Sequence, residues 1–170
     1  LNSQLGIAED ETAGFLKNMA AISKSTMQAQ ENMAYIVADL SMAAGVPLPL
    51  IMKDMATKSG TTLTMMSRLP NQVAKAAVEL RKMGTSLDQA AKSSREILNF
   101  SDNINAEMEA SVLLGRSINL QRARELAYRR DLEGSTREIL KLTNELDFSN
   151  LDVFQQEAFA RATGKSVDEL

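Results

Sequence analysis

The chain has no cysteine, no histidine and no tryptophan among its 170 residues. Without cysteine it holds no disulfide, no thiolate metal site and no cysteine nucleophile. Without histidine it lacks the commonest general base and the commonest transition-metal ligand. Aromatic residues make up only 4%, which disfavours a platform on which bases or sugars stack. The longest apolar run, residues 42–52, is too short to span a bilayer and contains Pro47 and Pro49. No secretion signal is legible. The net charge is −3, so bulk attraction to nucleic acid or to an anionic membrane is not expected. There is no phosphate loop and no dinucleotide fingerprint. No glycine-rich carboxylate loop surrounds Asp39 or Asp54, so neither a calcium site nor any other cofactor is expected.

What is there is ordinary for a folded protein: 44% apolar and 24% charged residues. The length suits one domain with a real core or two small helical lobes. Because it begins with Leu1 rather than methionine, the chain reads as a piece of something longer. Nine of the ten methionines precede residue 84. That divides it into a methionine-rich lobe at 1–83 and a second lobe at 84–170, unless the two form one continuous domain. The methionines fit two roles, flexible core filling or an adaptable apolar surface.

Apolar residues recur at helical spacing, and no stretch alternates as a strand would. The expected fold is all-α, a multi-helix array or elongated bundle of about eight short-to-medium helices. Its punctuation is repetitive. Gly84-Thr-Ser-Leu-Asp-Gln, Gly115-Arg-Ser-Ile-Asn-Leu and Gly164-Lys-Ser-Val-Asp-Glu share one form, and Gly45-Val-Pro-Leu-Pro is a proline version. Each glycine is predicted to stop a helix in the left-handed conformation, where a Cβ is penalised. Their uneven spacing points to a reused turn rather than a fixed repeat. Ser25 with Gln28, Ser86 with Gln89, Ser135 with Glu138 and Ser166 with Glu169 read as capping boxes. Ser117 or Asn119 would cap the helix after Gly115.

Helices are expected at residues 8–23, 26–44, 47–58, 63–69, 71–83, 120–130, 136–146 and 151–163, with another beginning after Gly164. Gly134 reads as a chain break. In 26–44, the residues Met33, Ile36, Val37, Leu40 and Ala44 form one inward face. The alanines of 71–83 point to close helix contact. Residues 87–114 carry two sets spaced by seven: Leu87, Ser94, Ser101, Met108 and Ala90, Ile97, Ile104, Ser111. That continuity predicts one long helix with a kink near Ser101.

The candidate chemistry is sparse. Glu107 and Glu109 are two apart on a helix and point to different faces, so they do not form a close acid/base pair and read as solvated charges. Glu109-Ala-Ser-Val resembles the glutamate-serine start of a lytic transglycosylase site, but the glycine-leucine-methionine-glutamine stretch that should follow is absent. No residue is assigned to catalysis, and the chain is not expected to be an enzyme. Arg116, Arg122, Arg124 and Arg129, beside Arg130, form a basic cluster that could meet a phosphate or an acidic partner. Arg122 and Arg129 share a helix face. Glu125, Asp131 and Glu133 dilute the charge, and the alternative is a solvated face.

The stretch EMEASVLLGRSINL at 107–120, continuing through Gln121-Arg-Ala-Arg-Glu-Leu-Ala and Asp131-Leu-Glu-Gly, resembles a segment of the tail tape measure proteins of tailed bacteriophages. The likeness extends upstream through Ala74-Lys-Ala-Ala-Val-Glu-Leu-Arg-Lys-Met-Gly and downstream to Gly164-Lys-Ser-Val-Asp-Glu-Leu. It covers about the last two-thirds of the chain. The resemblance implies a structural virion segment, placed inside the tail and passing through the host cytoplasm during assembly. Such proteins set tail length and leave with the genome. The implied partners are other copies of the chain and tail tube or baseplate proteins, with nucleic acid only nearby and membrane contact only through parts outside this segment. No small-molecule substrate is implied. The chain departs from the family in lacking a long tandem repeat with spaced aromatics and an apolar membrane segment. The rival readings are a peptidoglycan-degrading segment of a virion protein and a generic helical interaction module.

Overall fold

The computed structural model describes residues 9, 12–17, 27–56, 65 and 70–170. Among them the chain is all-α, with no strand. The helices are α1 (Met27–Ala44), α2 (Leu48–Ala56), α3 (Pro70–Lys82), α4 (Leu87–Leu98), α5 (Phe100–Leu113), α6 (Gln121–Tyr128), α7 (Leu132–Glu145) and α8 (Val153–Thr163). Two 3-10 turns, Phe148–Asn150 and Val167–Glu169, flank α8. Residues 12–17 are also helical. The rest of the expected helix at 8–23, the Ser25–Gln28 cap and the helix at 63–69 apart from Met65 lie outside the described residues. Contacts divide the chain into two units, Leu1–Asp88 and Gln89–Leu170.

In the first unit, α3 packs against α1 and α2. The inward face of α1 is Ala34, Val37, Ala38 and Ser41, spaced as one helical stripe. This corrects the expected face: Ile36 is 44% exposed, and Met33, Leu40 and Ala44 are half-buried. Small side chains face small side chains here, because α3 offers Val73, Ala74, Ala77, Val78 and Leu80. Short side chains let helix axes approach closely, so α1 turns its small residues rather than its large ones inward. The methionines divide between the two roles. Met52, Met55 and Met65 are buried, whereas Met42 is exposed.

A largely buried ion pair lies in this unit. Arg81 donates through Nε to Asp54 Oδ2 at 2.7 Å and through Nη2 to Oδ1 at 2.5 Å, a bidentate fork. Burial pushes the Asp54 carboxyl above the ordinary aspartate range, although Arg81 pulls the other way. Because the folded-state value is raised, ionisation of Asp54 lowers stability as pH rises through that window. The pair fixes how α2 meets α3, and Asp54 is not free to ligate a cation.

In the second unit, α8 packs on α5 and α7 on α6. The main core gathers Ala110, Ile118, Leu120, Leu146, Phe148, Ala158, Phe159 and Ala162. The Phe148 and Phe159 rings meet at 5.9 Å in a tilted arrangement that suits their quadrupoles. A second cluster joins Ile97, Ala123, Ala127 and Ile139. Two buried polar side chains finish the end of α8. Asn103 Nδ2 donates to the Ala162 carbonyl and Ser93 Oγ to the Thr163 carbonyl, both at 2.6 Å. Helix-end carbonyls have no partner within the helix, and these two are satisfied from α5 and α4.

The four predicted glycine stops are in place: Gly45, Gly84, Gly115 and Gly164 all have positive φ. At Gly115 the amide donates to the Val112 carbonyl and the Arg116 amide to the Ser111 carbonyl, the Schellman pattern. Ser166 and Glu169 form the expected capping box. After Gly115 it is Asn119 rather than Ser117 that acts, its Oδ1 accepting from the Gln121 amide at 2.8 Å.

Other expectations fail. Gly134 does not break the chain but lies in the first turn of α7. The turn before α7 is made by Arg130, at φ 62. The cap is Asp131, whose carboxylate accepts from the Gly134 amide, so Ser135 is a buried helix residue and not a cap. A Cβ on Gly134 would meet Asp131 Oδ2 at 2.5 Å; the glycine makes room for the cap.

Residues 87–114 are two helices, not one. The chain turns at Asn99, with φ −74 and ψ 80. Its Nδ2 donates to Asp102 Oδ2 at 2.6 Å, a side-chain bond that ties the turn to the start of α5. Burial reverses across this point. Leu87 and Ser94 are buried, but Ser101 and Met108, at the same heptad phase, are exposed.

Candidate functional site

The break at Asn99 turns α5 inside out. Its two fully buried residues are Asn103 and Ala110, while Phe100, Met108 and Val112 are 66%, 63% and 80% exposed. Together with half-buried Ile104 they form a row at spacing four, the i±4n ridge of a helix. Tyr128 on α6, 80% exposed, stands beside it.

Behind this ridge lies a polar hub. Arg124 Nη2 donates to Glu107 Oε2 and to Asn103 Oδ1, each at 2.6 Å, and Nε donates to the Ile97 carbonyl at 3.1 Å. Glu107 Oε1 accepts the Leu120 amide at 3.1 Å. Ser111 Oγ donates to the Glu107 carbonyl at 2.7 Å and accepts the Ile118 amide at 2.9 Å. The guanidinium sits 5.6 Å from the centre of the Phe100 ring, within cation–π reach. One arginine thus closes the last turn of α4, the inner face of α5 and the start of α6. Glu107 is not the solvated charge expected of it. It is a mostly buried acceptor that holds the loop 114–120 onto α5.

A hollow of about 730 Å³ opens beside the hub, lined by Leu98, Phe100, Ile104, Ile118, Arg124 and Tyr128 among others. A smaller one of about 360 Å³ continues past Met108 and Val112, and the two share Ile104, Glu107, Ser117 and Ile118. The surface is mixed: the apolar side chains are interleaved with Ser117, Asn119, Gln121 and Glu125, and its two central charges, Glu107 and Arg124, are spent on each other.

The four candidate arginines do not converge on one ligand. Arg124 points inward to the hub. Arg122 and Arg129 both bind Glu125, at 2.9 and 2.6 Å. Arg116 Nη1 donates to the Glu145 carbonyl at the end of α7. Glu109 faces away from Glu107 and pairs with Arg161 on α8 at 3.0 Å. Among the described residues no group of three or more acidic side chains could hold a metal ion, and no helix is long and apolar enough to cross a membrane.

Sequence reasoning passed over Lys165. It is buried, and among the described residues its Nζ has no hydrogen-bond partner. Burial lowers its pKa below that of an ordinary lysine, with Glu169 partly opposing. Nothing around it in sequence distinguishes it from a surface lysine; it is buried because Gly164 turns the chain back against α4. Set against known protein families, curated proteins and solved structures, the chain matches none of them.

Proposed function

We propose that the chain is a structural segment of a tailed-phage virion protein of the tape measure kind, acting by helix packing and not by turnover. The observation that supports a packing role is the outward apolar ridge of α5. A helix that buries asparagine and glutamate while presenting phenylalanine, methionine and valine is arranged to be covered by something else. The phage context rests on the resemblance centred on 107–120, whose second half builds the loop held by Glu107. In this reading the segment lies within the tail, against other tail proteins, and leaves with the genome. A peptidoglycan-cleaving role has less support, because Glu107 and Glu109 are both tied to arginines.

The test is tail length. A ruler converts residues to span at about 1.5 Å per residue wherever its helix is extended, and at less wherever it folds back. An in-frame deletion of α7 and α8 from the parent should therefore shorten tails, by less than the extended-helix value. Tails of unchanged length with blocked genome delivery would assign the segment to ejection instead of measurement.

A further inference from the structure

We infer that the outward face of α5 is a self-complementary seam on which a second copy of this chain docks about a twofold axis. The inference rests on the reading of the chain as a packing segment, and adds what packs there. The first argument is shape. Knobs and hole lie side by side on one face: Phe100, Met108 and Tyr128 project, and the hollow bounded by Ile104 and Ile118 is next to them. A twofold contact requires that each copy offer both members of every pair, and this face does. A row of i±4n residues can also interdigitate with an identical row, the commonest way two helices cross.

The second argument is charge. Glu107 and Arg124, which line the hollow, neutralise each other at 2.6 Å. Glu125, which also lines the hollow, is paired with Arg122 and Arg129. An acidic or basic partner would find no unpaired opposite charge there, whereas an identical face needs none. The third argument is area. With about 150–250 Å² per aromatic side chain, the exposed parts of Phe100, Met108, Val112 and Tyr128 come to several hundred Å². Doubled by symmetry, that approaches the lower end of stable interfaces, about 1,200 Å² in total.

Sedimentation of the full chain across a wide concentration range tests this. The wild type should shift from one chain mass to two, and Met108→Glu with Val112→Glu should stay at one chain mass with an unchanged helical spectrum. Both positions are exposed, so the fold has no need of them. Because the segment is free of cysteine, Met108→Cys gives a second readout: mild oxidation should link two copies through that position. A wild type that stays a single chain at every concentration would overturn the inference. So would a dimer that survives the double glutamate variant, or a Met108→Cys chain that oxidises without linking two copies. None of these results bears on tail length, so the structural role and the self-contact fail separately.

Discussion

Replacing Arg124 with methionine should destabilise the second unit by about 2–3 kcal/mol, below the roughly 3–5 kcal/mol of breaking a fully buried charge pair. The side chains of Arg124 and Glu107 are 13% and 14% exposed and border the hollow, so water replaces only part of the lost bonds. Methionine keeps most of the apolar volume. The loss is therefore electrostatic: the Glu107 carboxylate is stranded, and Asn103 Oδ1 and the Ile97 carbonyl each lose a donor. Urea denaturation of the full chain reads the effect. Arg122→Ala and Arg129→Ala, which break exposed pairs to Glu125, should each change stability by about 0.5 kcal/mol or less. If all three variants behaved alike, Arg124 would be one more surface arginine and the hub would not exist.

The second large effect is expected at Gly164. Its φ is +65, and a Cβ there would meet Glu96 Cβ at 2.6 Å and the Ser93 carbonyl oxygen at 3.1 Å. Gly164→Ala combines left-handed strain with overpacking against α4, on the order of 2–4 kcal/mol. Gly115 has a similar φ of +64 but nothing within 4 Å of the added carbon. Gly115→Ala carries the strain alone, about 1 kcal/mol. Thermal unfolding of the two variants separates conformation from contact. Equal losses would show that α4 yields freely to the new methyl group.

These two glycines mark what the sequence discloses and what it withholds. A glycine after an apolar run announces a helix stop because the reason is local, a conformation that a Cβ opposes. All four such stops were legible for that reason, and so was the Ser166–Glu169 cap. That Gly164 also admits α4 depends on residues some seventy positions away in sequence, and no local pattern carries it. Gly134 was misread because a glycine within a first turn, making room for a capping aspartate, looks in sequence like a glycine that ends a helix.

The candidate site was less legible than the fold. Ile104, Met108 and Val112 have the spacing of an inward face, and the heptad phase runs unbroken from Leu87 to Met108. Only the turn at Asn99 sends that phase outward, and it depends on how Asn103 and Arg124 are satisfied in three dimensions. Arg124 is one of five arginines in fifteen residues, 116–130. Its burial follows from its direction on α6, where it shares the inward side with Ala123 and Ala127. The basic cluster was visible as composition; its division into one hub and several surface charges was not.

The most direct test of a packing role is the reactivity of the α5 face before and after assembly. The thiol introduced by Met108→Cys should be alkylated readily in the dilute isolated chain, because position 108 is exposed on the ridge. On the proposed tape measure reading, the same position should be strongly protected in assembled tails, while the variant still forms tails of normal length. Alkylation at the same rate in both would mean that nothing covers the ridge, and would contradict the account at its centre.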